Sequence, residues 1–169
     1  MLITEAHNFN GVQWGKDKRY LRNNFTPASQ IASLFWDYYE FTGDEEFLKE
    51  RAYTFMKKAS HFYLDRLEWD EEKNEYFLKA SLYESAPIAY VKNPISDRNC
   101  IERLFKDCIR AAEILNVDKD EVKQWRHVLN HLWERGYQQF GECGEVISPA
   151  EEYLSLIHIS EPTRQAEIS

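Results

Sequence analysis

The chain has 169 residues, 43% hydrophobic and 15% aromatic, with 21 Lys and Arg against 29 Asp and Glu for a formal net charge of -8. That length and apolar content suffice for one buried core and favour a single globular domain. The negative charge argues against nucleic-acid or anionic-membrane binding, which needs excess cationic side chains facing phosphate, and leaves neutral partners such as sugars open.

No apolar run approaches the roughly 18 residues of a membrane span, and the Met1-Leu2-Ile3 start has neither the basic nor the apolar block of a signal peptide. Cys100 and Cys108 are eight residues apart on one predicted helix, about 12 Å at 1.5 Å per residue, too far for a disulfide. Cys143 stands alone, so neither a disulfide framework nor a CxxC metal site is indicated, and no cofactor is expected.

Met1–Phe25 lacks a sustained period and is dense in groups that hydrogen-bond or stack, among them His7, Asn8, Asn10, Gln13, Trp14 and Tyr20; it reads as loop. Thr26-Pro27 predicts an N-cap followed by proline at the first helical position. The helix that follows carries Ile31, Leu34, Phe35, Tyr38 and Phe41 at three- and four-residue steps, the expected buried face, and ends at Gly43. Asp44 caps the next helix, with Glu45 and Glu46 in its first turn. Its expected inner face is Phe47, Leu48, Phe55, Met56, Ala59, Phe62 and Tyr63, and it runs to about Leu67. Trp69, Tyr76 and Phe77 then flank a charged centre that suits either a small hairpin or an ordered excursion.

Phe77–Asp97 separates the first helix pair from the second. Glu84 is the only carboxylate between Glu75 and Asp97 and sits among Leu82, Tyr83, Ser85, Ala86 and Pro87. A fold that sheltered it would raise its pKa and suit it to general-acid work; the plain alternative is a solvated loop acid or a turn cap. Ser96 or Asp97 is expected to cap a third helix with the stripe Ile101, Leu104, Phe105, Cys108, Ile109, Ala112 and Leu115. A tight Asn116-Val117-Asp118 turn leads to a fourth, with Val122, Trp125, Leu129, Leu132 and Trp133 inward, ending at Gly136. Tyr137–Tyr153 reads as loop.

The expected fold class is all-α: two antiparallel helical hairpins forming part of an (α/α)6 toroid. Short and long connections alternate, so the long polar-aromatic loops leave from one rim, at the starts of the first and third helices, where a site belongs. Four helices cannot close such a ring. Residues 154–169 change character abruptly: LSLIHISEPTR over Leu154–Arg164 looks like a sequencing adaptor translated in frame. The domain is therefore expected over residues 1–153, with a non-native tail beyond and the rest of the domain missing.

Three motifs in order carry a resemblance: FWDYYEFTGDEEFLKERAYTFMKKASHFYLD at Phe35–Asp65, SLYES at Ser81–Ser85, and NPISDRNCIERLFKDCIRAAEILNVD at Asn93–Asp118. Together they resemble the catalytic domain of glycoside hydrolase family 95, inverting α-L-fucosidases and related α-L-galactosidases on an (α/α)6 toroid. The resemblance implies that Glu84, beside Tyr83, is the general acid, that the partner is a carbohydrate, and that the catalytic Asp lies beyond this chain. It matches His7-Asn8-Phe9-Asn10 either to the family's water-holding Asn-x-Asn pair or to its pocket-lining His-Asn motif. Asp97 corresponds to a family Asp that binds substrate or caps the third helix. Asn8, Asn10 and Gln13 would bond sugar hydroxyls, and Trp14, Tyr20, Tyr83 and Tyr90 would offer ring faces. The resemblance is compatible with a secreted or periplasmic parent. A phosphorylase or lyase on the same toroid and a non-catalytic helical-repeat module are the competing readings. The 169-residue chain alone is expected to be inactive and prone to associate through unpaired helical edges.

Overall fold

The computed structural model describes residues 25–82 and 89–155. Helix α1 spans Thr26–Thr42, but Thr26 is not its cap: Phe25 holds the N-cap position with no side-chain hydrogen bond. Tertiary contacts decide this start. Phe25 is buried, packs edge-on against Phe62 with centroids 5.3 Å apart, and its carbonyl accepts from the Tyr63 hydroxyl at 2.9 Å. At the other end Gly43 takes the left-handed conformation, φ 66°, and its N–H bonds the Tyr39 carbonyl at 2.8 Å, as the sequence predicts.

The buried face of α1 differs from the expected one. Ser29, Ala32 and Trp36 point inward, whereas Leu34, Tyr38 and Phe41 are exposed and Ile31 and Phe35 half-buried. Both sides of this helix are apolar, so its periodicity alone could not choose between them. The choice follows from what α1 meets: α4 on one side and the start of the next helix on the other.

The second helical run begins with α2, Glu45–Phe47, capped by Asp44, whose carboxylate accepts the Phe47 N–H at 2.9 Å. A π-helical stretch, Leu48–Ala52, links it to α3, Tyr53–Leu64. The wider turn rephases the apolar face, so Leu48 and Ala52 reach the core together with Met56, Ala59 and Tyr63. Phe47, Phe55 and Phe62 are only half-buried, against expectation, and α3 stops at Leu64, short of Leu67. The rephased face brings Tyr53 and Ser60 inward instead.

The connections contain strands, which the all-helical expectation left out. The strands β1, Glu68–Asp70, and β2, Glu75–Phe77, form a small hairpin around Trp69 and Tyr76, one of the two alternatives left open for that segment. Asp70 closes its turn by accepting the Glu72 and Lys73 N–H groups at 3.1 Å, and Asn74 takes φ 53°. β3, Lys79–Leu82, pairs antiparallel with β4, Ala89–Lys92, from Lys79↔Lys92 to Leu82↔Ala89.

Helix α4, Ile95–Leu115, starts from Pro94, so neither Ser96 nor Asp97 is its cap; Asp97 lies inside the first turn with its side chain buried. Its stripe Ile101, Leu104, Phe105, Cys108, Ile109 and Ala112 is buried as predicted. Asn116 and Asp118, at φ 51° and 52°, turn the chain into α5, Lys119–Asn130. The Asp118 carboxylate caps nothing; it accepts from the Tyr53 hydroxyl at 2.7 Å and pairs with Lys57 at 2.8 Å, fastening α3 to the start of α5. α5 ends at Asn130, six residues before Gly136, because the chain leaves to dock on β2: the Tyr76 N–H bonds the His131 carbonyl at 2.6 Å.

The segment read as loop after α5 holds a hairpin of β5, Tyr137–Gln139, and β6, Glu145–Ile147, and then β7, Glu152–Ser155, which adds to β4. These strands are three or four residues long, too short for an alternating pattern to register. One core unites the helices, with Trp36, Met56, Tyr63, Phe105 and Trp125 at its centre. No helix among the described residues is long and apolar enough to cross a membrane.

Gly43→Ala forces a Cβ into left-handed backbone where no neighbour lies within 4 Å. The cost is conformational alone, about 1 kcal/mol, and Asp44→Ala should cost a similar ~1 kcal/mol through the lost cap. Urea denaturation of the single and double variants should show both losses, nearly additive.

Candidate active site

The start of α1, the end of α3 and the start of α4 meet in one polar knot within the core. The Tyr63 hydroxyl donates to the Phe25 carbonyl and lies 3.3 Å from Ser29 Oγ, which itself donates to the Thr26 carbonyl at 2.7 Å. Burial raises the Tyr63 pKa, and the charges of Asp97 and Cys100 push it further up. The start of α1 and the end of α3 are therefore joined by hydrogen bonds, with the start of α4 close by.

Asp97 belongs to this knot. It is 1% exposed; Oδ2 accepts from Ser96 Oγ at 3.1 Å, and Oδ1 has no partner among the described residues. Burial pushes its carboxyl up to about 7 against the opposing hydrogen bonds from Ser96 and its own backbone. The carboxyl therefore keeps its proton to higher pH than a free one and, protonated, can donate as well as accept.

The β3–β4 hairpin holds the segment that carries Glu84. Leu82 and Ala89 are the last paired residues, so residues 83–88 join two strand ends that the ladder fixes opposite each other. Glu84 and Tyr83 lie outside the described residues, as do His7, Asn8, Asn10, Gln13, Trp14 and Tyr20. Tyr90, half-buried on β4, stands opposite Ser81 and Ser155.

The base of that hairpin depends on Asn93, which sequence reading passed over. Asn93 is 3% exposed and left-handed, φ 57°. Its N–H donates to the Leu78 carbonyl at 2.7 Å, its Oδ1 accepts the Leu78 N–H at 2.9 Å, and its Nδ2 donates to Glu151 at 2.5 Å. Asn tolerates this backbone better than any other residue with a Cβ. The signal available beforehand was the Asn-Pro pair just ahead of a helix.

A cleft of about 460 Å³ opens beside Asn93, between the β1–β2 turn, the start of α4 and the chain after α5; Lys73, Glu75, Trp133, Ser148 and Glu151 share its wall. Lys73 reaches Glu151 at 2.6 Å and Glu75 at 3.8 Å. Burial raises the Glu75 pKa, whereas for Glu151 burial is outweighed by the hydrogen bonds from Lys73 and Asn93, and its pKa falls. A larger groove of about 630 Å³ between α1, α4 and α5 is walled by paired charges, including Arg110–Glu40 at 2.8 Å and Arg126–Glu113 at 2.5 Å. Among the described residues no three His, Cys, Asp or Glu side chains gather as metal ligands.

Comparison with known proteins defines the class first. A Dictyostelium discoideum protein-glucosylgalactosylhydroxylysine glucosidase is 25% identical over 138 residues, 75% of this chain and 19% of that protein. A kojibiose hydrolase from Flavobacterium johnsoniae is 39% identical over 52 residues, 31% of this chain and 8% of that protein. The chain is thus similar to glycoside hydrolases and spans about a fifth or less of the relatives' length. Residues 3–160 match the model of the glycosyl hydrolase family 95 catalytic domain, and the chain belongs to that family.

The raised Asp97 pKa has a definite sign. The folded state holds the proton more tightly than the unfolded state, so Asp97 costs nothing below its unfolded pKa near 4; the cost grows as pH rises and levels off above about 7. Asp97→Asn should leave stability at pH 3.5 nearly unchanged and raise it at pH 8 by up to the order of 4 kcal/mol, as read from denaturation across that range. Asn93→Ala should lower stability by about 2–3 kcal/mol, because it orphans the buried Leu78 N–H. Slowed amide exchange at Leu78 in wild type should be lost in the variant.

Proposed function

We propose that the full protein is an inverting glycoside hydrolase in which this chain supplies the general acid, Glu84. The family match across residues 3–160 carries the reading, because it includes the segment between β3 and β4 where Glu84 lies. Glu84 protonates the leaving glycosidic oxygen while a second carboxylate, roughly 6.5–9.5 Å away, activates a water on the opposite face of the sugar. That base comes from beyond these 169 residues. The helix pairs α1/α3 and α4/α5 are two hairpins of an (α/α)6 toroid whose rim, at the starts of α1 and α4, forms the sugar pocket. His7, Asn8, Asn10, Gln13, Trp14 and Tyr83 line it, with the hydroxyl-bonding and ring-stacking roles given above, whereas Asp97 is buried in the core at the start of α4.

The substrate class we propose is α-L-fucosides and related glycosides. The names of the two relatives favour a second reading, a glucoside-cleaving enzyme. Assaying the full-length protein on an α-L-fucoside and on kojibiose separates the two. Proton NMR of the first-formed sugar should show the anomer opposite to the substrate's; release of the same anomer overturns inversion. Glu84→Gln should lower kcat by on the order of 10²–10⁴ with the melting temperature essentially unchanged. A large loss of stability with activity retained would make Glu84 structural.

A further inference from the structure

The end of α5 carries a histidine pair that the proposed reaction does not use. His127 in the last turn and His131 at the C-cap stand four residues apart, which puts both side chains on one face. Their ring centroids lie 4.3 Å apart with the planes at 42°. Aromatic rings from the β1–β2 hairpin wall the pair. Trp69 lies 6.1 Å from His127, tilted by 30°, and 5.7 Å from His131, while Tyr76 meets His127 edge-on at 5.9 Å. The hairpin thus holds both imidazoles in place, yet His127 stays exposed and His131 half-buried.

Hydrogen bonding decides which nitrogens are available. His131 Nδ1 lies 2.7 Å from the His127 carbonyl oxygen. A carbonyl only accepts, so Nδ1 carries the hydrogen and, in the neutral ring, Nε2 holds a lone pair. Among the described residues no hydrogen bond engages His131 Nε2 or either ring nitrogen of His127. An imidazole anchored through its other N–H to a main-chain carbonyl is the arrangement of a metal-bound histidine, because the anchor fixes tautomer and ring orientation.

We propose that His127 and His131 together bind a divalent transition-metal ion, copper(II) most tightly. Imidazole nitrogens suit copper, nickel and zinc, and copper heads the affinity order among divalent ions. Two imidazoles side by side on one ion, each about 2.0–2.1 Å from it, have centroids roughly 4.5–5 Å apart. The observed separation is close to that, so small ring rotations bring the pair onto a metal. Position and charge act in the same direction: the negative end of the α5 dipole and the net charge of -8 both favour a cation there. No third His, Cys, Asp or Glu joins the pair among the described residues, so the site is open, with coordination positions left for water or a small donor. No residue of the proposed reaction takes part, so either proposal can fail alone.

The test uses the full-length protein with copper(II) chloride as the probe. With the ion at about ten times its dissociation constant, diethylpyrocarbonate should modify His127 and His131 about tenfold more slowly than in metal-free protein, as read by peptide mapping. In isothermal titration His127→Asn and His131→Gln should each weaken the tightest copper binding by about tenfold or more. The copper(II) electron paramagnetic resonance spectrum should show two coupled nitrogens in wild type and lose at least one in either variant. An unchanged modification rate at both histidines overturns the proposal, and so does equal copper affinity in wild type and variants, which would place the ion elsewhere. Should a variant fail to fold, the modification rates in wild type decide alone.

Discussion

Helix α4 touches α1, α3 and α5 at once, and burial of its wide apolar stripe is the constraint on which the other elements depend. Ile101, Leu104, Phe105 and Cys108 are each essentially inaccessible. At about 1.5–3 kcal/mol for each large side chain, this one helix contributes a substantial part of the gain that offsets chain entropy. Because α4 is enclosed on so much of its circumference, its direction and depth are fixed. The polar features at its start, Asn93 and Asp97, inherit that fixed position.

Polar groups enter this core under strict terms. Asn93 satisfies its amide through Leu78 and Glu151, and Tyr63 bonds to Phe25 and Ser29, so their burial costs little. Asp97 is different: one oxygen has no partner among the described residues, and burial raises its pKa, so the carboxyl enters the core by holding its proton, at a cost to stability that grows as pH rises above about 4. A domain selected for stability alone would place an apolar residue there. An unmet carboxyl oxygen in a packed core is the pattern in which local rules yield to another demand on the position.

Surface electrostatics add orientation more than stability. Lys57 bridges Asp118 and Glu121, and Arg103 and Arg110 tie α4 to Asp37 and Glu40 of α1. Such partly exposed pairs contribute little individually. Arg110 also lies over the buried Trp36 ring at 4.9 Å, so its stem and charge seal the core edge between α1 and α4.

The sequence by itself determined the helices, the short turns at Gly43 and Asn116–Asp118, the Asp44 cap and the α4 stripe. Each is set by neighbours within a few residues: a left-handed glycine, a carboxylate three residues from an N–H, a 3.6-residue period. Tertiary structure decided which side of α1 is buried, because Ile31–Phe41 and Ala32–Trp36 are both apolar and only the position of α4 separates them. It also decided that Phe25 rather than Thr26 opens α1, that Pro94 opens α4, and that the chain after α5 folds into strands. Those outcomes rest on partners tens of residues away, Tyr63 for Phe25, Pro149 for Ile95 and β4 for β7, and local sequence carries no record of which distant surface will arrive. The site was legible to the same extent: an isolated carboxylate at Glu84 shows in the sequence, whereas the clamp at Asn93 exists only once Leu78 and Glu151 close around it.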